Sequence, residues 1–161
     1  MQAVIFVGIQ ATGKSSFYQE RFFRTHVRIN LDMLKTRHRE DVLLRACIEA
    51  KQPFVVDNTN TTVEGRAKYI RLAKAAGFRI VGYYFQSRID DAIRRNENRP
   101  EAERIPAKGI WGAYRRLQVP SFDEGFDALY SVQIQEPQDF VVREWSEFTS
   151  TRDIDRSTSQ P

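Results

Sequence analysis

The chain has 161 residues and a mass of 18.8 kDa, which is the size of one compact domain. Its 41% hydrophobic and 29% charged residues exclude an intrinsically disordered chain, and the sequence has no apolar run near the ~18 residues that a membrane span needs. Cys47 is the only cysteine, which excludes an internal disulfide framework and leads us to expect a cytoplasmic protein.

Charge is distributed unevenly along the chain. Residues 1–118 hold 22 of the 25 Lys and Arg but 12 of the 21 Asp and Glu, a net charge of +10, whereas residues 119–161 have a net charge of −6. Basic surfaces attract phosphate-rich partners because binding releases counterions. The asymmetry is therefore compatible with polyanion binding, and equally with a solvated surface that happens to use arginine.

The first half of the chain alternates short apolar runs with longer stretches in which apolar residues recur at helical spacing. The runs predict buried strands and the longer stretches predict the helices that cover them. The predicted strands are 3–7, 27–30 and 54–56, and the predicted helices are 14–24 and 32–50, the second broken near Arg37–Arg39.

The second half continues the alternation. Thr61 and Glu64 have capping-box spacing, which predicts a helix start, and Gly77 is a typical residue just beyond a helix end. Pro106 suits a first helical position, where the N–H has no intrahelical acceptor. The remaining predicted elements are strands at 78–85 and 129–134, helices at 89–98 and 106–118, and a polar connection at 99–105.

Strands that alternate with helices form βαβ units, which predicts an α/β fold with a mainly parallel sheet of about five strands and helices on both faces. Because no linker or repeat divides the sequence, we expect a single domain over 1–148 and a mobile tail over 149–161. Ligands bind such sheets at the carboxyl ends of their strands, and the candidate site residues follow predicted strands.

The segment GIQATGKS, from Gly8 to Ser15, matches the phosphate-binding pattern G-x-x-x-x-G-K-[ST] in full, between a predicted strand and a predicted helix. Its glycines let backbone amides wrap a phosphate, Lys14 can reach the β- and γ-phosphates, and the Ser15 hydroxyl can bind Mg²⁺. We predict a site for the cofactors ATP and Mg²⁺ formed by Gly8, Ala11, Thr12, Gly13, Lys14, Ser15 and Ser16.

Two carboxylates follow predicted strands. Asp57 closes the third strand, where P-loop proteins place an acid near the water shell of the metal ion, although Asp57 could also only shape the turn at 57–60. Asp32 follows the second strand, where it could accept the proton of an attacking hydroxyl or cap the next helix. Spacing alone leaves both alternatives open for each residue.

Arginines concentrate after the fourth strand, in a segment at 88–108 that we predict to be a lid. Arg95 and Arg99 are four residues apart, so one helical face can present both to one anion. Small P-loop kinases use lid arginines to neutralise the transferred phosphoryl group, whereas the alternative is a solvated helix balanced by its own acidic residues. Because no guanine-reading N-K-x-D follows, we favour a small phosphotransferase of the P-loop kinase type.

Together these segments resemble the 5′-hydroxyl polynucleotide kinase domain, the family found in polynucleotide kinase–phosphatases and in phage polynucleotide kinase. The resemblance runs from Val4 to Gln135. It rests on GIQATGKS, INLDMLK, the DNTN segment with its following helix, RRNENR, and IPAKGIWGAYRRLQVPSFDEGFDAL. Many kinases share the first of these segments, and the later ones are more specific.

The resemblance implies transfer of the ATP γ-phosphate to the 5′-hydroxyl end of DNA or RNA. It implies that Asp32 is the general base and that Arg95 and Arg99 contact ATP phosphates from the lid. It further implies that Asp57 and Asn58 shape the site beside the metal ion and the acceptor, with Asp57 reaching the metal ion through its water shell.

Lys35 stands where the phage pattern has an arginine that contacts the acceptor 3′-phosphate, so the charge is kept but the bidentate fork is lost. A groove with Lys35, Arg37 and Arg39 would hold the strand backbone. The sequence lacks the D-x-D-G-T phosphatase signature, so a separately encoded ligase or phosphatase is an expected partner. Two alternatives remain: a kinase for a small-molecule or protein hydroxyl, and an ATP-gated nucleic-acid-binding subunit with little catalysis.

Overall fold

A computed structural model describes residues 1–135 and 139–146, so the expected tail over 149–161 lies outside the described residues. The strands of the described part are β1 (Gln2–Val7), β2 (Val27–Ile29), β3 (Phe54–Val56), β4 (Arg79–Phe85), β5 (Ala128–Gln135) and β6 (Asp139–Glu144). The helices are α1 (Lys14–Arg21), α2 (Leu31–Leu34), α3 (Arg37–Glu49), α4 (Val63–Ala75), α5 (Ile89–Glu97) and α6 (Ala107–Arg116), with 3₁₀ turns at Glu101–Glu103 and Phe122–Glu124.

The strands form one sheet in the order β2-β3-β1-β4-β5-β6. The first five strands in this order are parallel, and β6 runs antiparallel to β5. The strands β2 and β3 lie on one side of β1, and β4 lies on the other, so the strand order changes direction at β1. Open α/β sheets bind ligands beside such a change, at the carboxyl ends of the strands. The predicted α/β fold is confirmed, with one more strand than expected.

Both faces of the central strand are buried, as the continuous apolar run at Ala3–Val7 predicts. On one face, Ile5 packs in a cluster with Leu44 of α3 and Ile70 of α4. On the other face, Phe6 belongs to a cluster of aromatic residues, and its ring centroid lies 5.8 Å from that of Phe17 in α1. This two-sided core fixes β1, and therefore the position of the loop that follows it.

The segment predicted as a lid packs against that loop. Ile89 and Ala92 of α5 and Ile110 of α6 form a small apolar cluster with Ile9. Asn96 holds the connection between the two helices closed, because its side chain both donates to the carbonyl oxygen of Ile105 and accepts from the N–H of that residue. None of the helices in the described part of the chain has the length and apolar character that crossing a bilayer requires.

The structure corrects two predicted helix boundaries. The helix α4 is capped by Thr62, whose hydroxyl accepts from the N–H of Gly65, and not by a box at Thr61 and Glu64. Gln118 explains the shift: its backbone N–H donates to the carbonyl oxygen of Thr61, and its side chain accepts from the first helical N–H. Tertiary contacts thus move the start of the helix by one residue.

The break expected near Arg37–Arg39 falls slightly earlier in the chain. Lys35 adopts a left-handed conformation at φ 69°, and Thr36 caps α3 by accepting from the N–H of Arg39. The predicted helix at 32–50 is therefore two helices, α2 and α3, and α2 is a separate short unit beside the carboxyl end of β2.

Candidate functional site

The phosphate loop connects β1 to α1 and takes a conformation that demands glycine. Gly13 has φ +89°, and a Cβ at Gly8 would lie 3.0 Å from the Cβ of Phe85. Ala11 is also left-handed, at φ 59°, and the Thr12 hydroxyl donates back into the loop. The N-cap residue of α1 is Gly13, which has no side chain to cap the helix, so the first backbone N–H groups of α1 are available to an anion.

Lys14 lies buried at the centre of the loop, with 9% of its surface exposed. Its Nζ donates to two loop carbonyl oxygens, one of them that of Gly8 at 2.8 Å. Burial lowers the pKa of Lys14 to about 8, and Arg99 adds to this, while Asp57 and Asp32 act in the opposite direction. The fold therefore brings three predicted site residues close enough to change the pKa of one amine.

Asp57 follows β3 and is 2% exposed. Its Oδ2 accepts from the Ser15 hydroxyl at 3.2 Å, and both groups also contact Arg28 of β2. The guanidinium of Arg28 lies 2.6 Å from Asp57 Oδ2 and donates to Ser15 Oγ at 2.8 Å. Sequence reasoning missed Arg28, although a charged residue within a short apolar strand is a signal that could have found it.

The hydroxyl of Ser15 and the carboxylate of Asp57 are the kind of oxygen donors that Mg²⁺ prefers. Residues 1–135 and 139–146 hold no group of three or more His, Cys, Asp or Glu side chains that could bind a metal ion. A hydroxyl and a carboxylate suit Mg²⁺ at a nucleotide site, where the ion takes one or two protein ligands beside the phosphate oxygens.

Asp32 lies on α2, a short helix with no fully buried residue, whose Leu34 packs against the apolar core and whose backbone makes polar contacts with two asparagines. The side chain of Asn30 caps the helix by accepting from the N–H of Met33 at 2.9 Å. The side chain of Asn58 accepts from the N–H of Leu31 at 2.8 Å. Two asparagines thus place the exposed carboxylate of Asp32.

The other end of the Asn58 amide is held by Glu40, a fully buried residue of α3. Asn58 donates to Glu40 Oε1 at 2.9 Å, and Tyr69 donates to the same oxygen at 2.8 Å. Arg37 and Lys68 contact the second oxygen, Oε2. Burial opposes ionisation of Glu40, but its hydrogen bonds outweigh that effect and keep its pKa below the ordinary value. Glu40 was also missed, although it shares an apolar helix face with buried residues.

Two cavities flank the phosphate loop. The first, which we name the Asp32 cavity, measures about 870 Å³ and is lined among others by Gln10, Asp32, Arg37, Asn58, Lys68 and Arg104. The second, which we name the Ser15 cavity, measures about 860 Å³ and is lined among others by Gly13, Ser15, Ser16, Arg28, Arg95 and Phe140. The predicted site residues therefore fall on two sides of one loop.

The two predicted lid arginines lie at this site. Arg95 lines the Ser15 cavity, and Arg99 is near enough to Lys14 to lower its pKa. Arg94, which precedes Arg95 in α5, instead pairs with Asp91, and its side chain is 63% exposed. Helix α5 ends at Glu97, so Arg99 follows the helix, and the expectation that one helical face presents both arginines is wrong.

The groove expected from Lys35, Arg37 and Arg39 is only partly brought together. Arg37 lines the Asp32 cavity, while Lys35 is exposed at the end of α2 and does not line it. Arg39 is exposed and donates to the carbonyl oxygen of Leu34. The basic side chains that join Arg37 in the cavity lining come from α4 and from the lid.

A phosphate loop after the central strand, an acid after the neighbouring strand and arginines on a helical lid define a P-loop kinase domain. Residues 35–118 match the AAA domain family, AAA_33, with the phosphate loop lying before the matched span. Since the match covers just over half of the chain, the chain belongs to this family.

Among individual proteins, the chain is distantly related in sequence to a polynucleotide kinase. The chain is 28% identical over 146 residues to the bifunctional polynucleotide phosphatase/kinase of Schizosaccharomyces pombe, covering 86% of this chain and 35% of that protein. The chain thus spans about a third of the length of this relative.

Two solved structures share the fold at low sequence identity. The gluconokinase of Sinorhizobium meliloti 1021 superposes with a TM-score of 0.59 at 18% identity over 84% of both chains. Kti12 of Chaetomium thermophilum, in complex with ADP-AlF3, gives a TM-score of 0.63 at 15% identity over 96% of both chains. These similarities support the P-loop kinase fold and leave the acceptor undecided.

Proposed function

We propose that the chain transfers the γ-phosphate of ATP to a hydroxyl acceptor, and that the acceptor is the 5′-hydroxyl end of DNA or RNA. One observation carries the proposal: the phosphate loop separates a cavity that contains Ser15 and Arg95 from a cavity that contains Asp32. Donor and acceptor would meet at Lys14, between the two cavities, in the arrangement that in-line transfer requires.

In the proposed reaction, the loop amides and Lys14 bind the β- and γ-phosphates. Ser15 directly, and Asp57 through water, would hold Mg²⁺, which adds positive charge beside the phosphate oxygens when it is bound. The acceptor oxygen forms a bond to the γ-phosphorus as the bond from that phosphorus to the β–γ bridging oxygen breaks, and the hydroxyl proton passes to Asp32. Arg95 and Arg99 stabilise the charge on the transferred group.

Three features support a polynucleotide acceptor. The relative from S. pombe is named as a polynucleotide phosphatase/kinase, residues 1–118 carry a net charge of +10, and Arg37 and Arg104 line the Asp32 cavity. Because that relative is also named as a phosphatase, we further propose that a ligase or phosphatase acts on the same ends.

A second candidate acceptor is a small polyhydroxylated molecule. The charges lining the Asp32 cavity balance, since its three basic side chains face Asp32, Glu64 and Glu103. Gln10 Oε1, on the cavity lining, is a buried acceptor with no donor among the described residues, and a hydroxyl group could supply one. A gluconokinase shares the fold.

The test is phosphate transfer from γ-labelled ATP to matched 5′-hydroxyl DNA and RNA oligonucleotides and to a panel of sugars. Asp32→Asn should lower transfer by about 100-fold or more, because the proton acceptor is lost, while ATP binding by calorimetry stays within about twofold. Asp123→Asn, an exposed position, is the control. Near-normal transfer by Asp32→Asn would remove Asp32 as the base.

Salt dependence separates the two acceptors. The KM for an oligonucleotide should rise steeply as salt increases because each neutralised phosphate releases counterions. The KM for a neutral sugar should change little. Label appearing only on a sugar, with weak salt dependence, would replace the polynucleotide proposal by the second candidate.

A further inference from the structure

Arg28 occupies an unusual place for a basic residue. It is the middle residue of β2, whose neighbours Val27 and Ile29 face the apolar core on one side of the sheet. Arg28 therefore faces the other side, where its guanidinium lies 5.5 Å from the ring centroid of Tyr18 in α1. Its side chain is 29% exposed and lines the Ser15 cavity.

The Arg28 guanidinium contacts Ser15 Oγ and Asp57 Oδ2, the two oxygen atoms that suit a metal ion. Its Nε donates to Asp57 Oδ2 at 2.8 Å, and its Nη2 donates to Ser15 Oγ at 2.8 Å. The Ser15 hydroxyl gives its own hydrogen to Asp57, so only its lone pairs remain for a cation. An ion bound there would need those lone pairs and would sit within a few ångströms of the guanidinium, where like charges repel.

We propose that Arg28 and the divalent metal ion compete for the Ser15–Asp57 pair, so that Arg28 sets the metal requirement of the nucleotide site. Without metal, Arg28 neutralises the buried Asp57, and the phosphate loop can still accept a nucleotide. When metal and nucleotide bind together, Arg28 leaves the pair and moves into the Ser15 cavity that it already lines. The inference rests on the proposed function only in placing a nucleotide at the phosphate loop.

The test compares wild type, Arg28→Gln and Arg28→Lys by calorimetric titration with ADP, with and without Mg²⁺. The exposed Arg24, outside both cavity linings, gives Arg24→Gln as a control with the same change in net charge. In Arg28→Gln, the ratio of ADP affinity with Mg²⁺ to ADP affinity without Mg²⁺ should rise by about tenfold or more. The reason is that the metal ion no longer has to displace the charge-assisted contacts of Arg28 with Ser15 and Asp57. Arg28→Lys keeps the charge but loses the forked guanidinium, so its affinity ratio should lie between those of wild type and Arg28→Gln.

A second measurement follows the metal ion itself. Mn²⁺ titrated into the ADP-saturated protein and followed by electron paramagnetic resonance should bind Arg28→Gln about tenfold more tightly than wild type. Equal Mn²⁺ affinity in wild type, Arg28→Gln and Arg24→Gln would overturn the inference. A failure of the proposed acceptor would leave both measurements unaffected, because neither contains an acceptor.

Discussion

The pKa of Lys14, a residue that is common to phosphate loops, depends on the surroundings of its side chain. Its Nζ donates to loop carbonyl oxygens, and burial lowers its pKa to about 8. A bound polyphosphate favours the charged amine and raises that pKa. Nucleotide binding is therefore coupled to protonation of Lys14 near and above pH 8.

The coupling of nucleotide binding to protonation of Lys14 makes nucleotide affinity depend on pH. Well below pH 8 Lys14 is already charged and binding takes up no proton, whereas above pH 8 the amine must gain one, so nucleotide affinity falls as pH rises. We expect uptake of about half a proton at pH 8, measured by calorimetry in buffers with different ionisation enthalpies. Lys14→Arg, which stays charged, should show no uptake from this position. Buffer-independent binding by wild type at pH 8 would contradict the assignment.

Among the structural elements, α2 depends most on others for its position. It has four residues, none of them buried, and a helix of this length is not stable by itself. The contact from Glu40 through Asn58 to the N–H of Leu31 connects it to α3 and α4. Glu40 is thus a positioning residue for Asp32, since it acts through the asparagine and not on the acceptor.

Glu40→Gln should loosen α2 because the buried carboxylate that orients Asn58 and neutralises Arg37 is lost. Hydrogen exchange read by mass spectrometry should become faster in peptides that cover 30–35 and stay unchanged in peptides that cover the phosphate loop. The transfer rate should fall with ATP affinity unchanged. Asp41→Asn is the matched control, because Asp41 also pairs with Lys68 but its side chain is 46% exposed. Equal exchange in both variants would show that Glu40 does not position α2.

At the scale of the whole molecule, Arg66 joins the loop after β3 to a segment more than 50 positions later in the chain. This arginine of α4 is fully buried and makes a bidentate pair with Glu124, both bonds at 2.7 Å. Its third contact is to the carbonyl oxygen of Asn60 in the loop after β3. One guanidinium therefore holds together α4, the 3₁₀ turn at Phe122–Glu124 and the loop that carries Asp57.

Removing one partner should be costly because the other charge is left buried and unpaired. We expect Arg66→Ala to lower the free energy of unfolding by about 3–5 kcal/mol, measured by urea denaturation monitored by circular dichroism. Arg94→Gln, which breaks an exposed pair with Asp91, should change it by less than about 1 kcal/mol. A loss as small for Arg66→Ala as for Arg94→Gln would mean that the buried pair adds nothing to stability.

Features that depend on neighbouring residues could be predicted from the sequence alone. Apolar runs and helical spacing predicted the alternation of strands and helices, and therefore the parallel sheet, because periodicity is a local property. The phosphate loop was readable because its glycines and Lys14 serve one short turn. The extra strand β6 was missed: it is a mostly exposed edge strand of six residues, and pairing with β5 is what makes it a strand.

Tertiary structure decided the contacts between residues that are distant in sequence. Arg28 and Asp57 are 29 positions apart, and they meet because β2 pairs with β3 in a register that sets Ile29 opposite Val56. Glu40 reaches α2 through Asn58, and the sequence contains no spacing that connects them. Such contacts depend on strand order and helix placement, which the burial of the whole core sets, so the sequence predicted the phosphate loop and the fold decided what surrounds it.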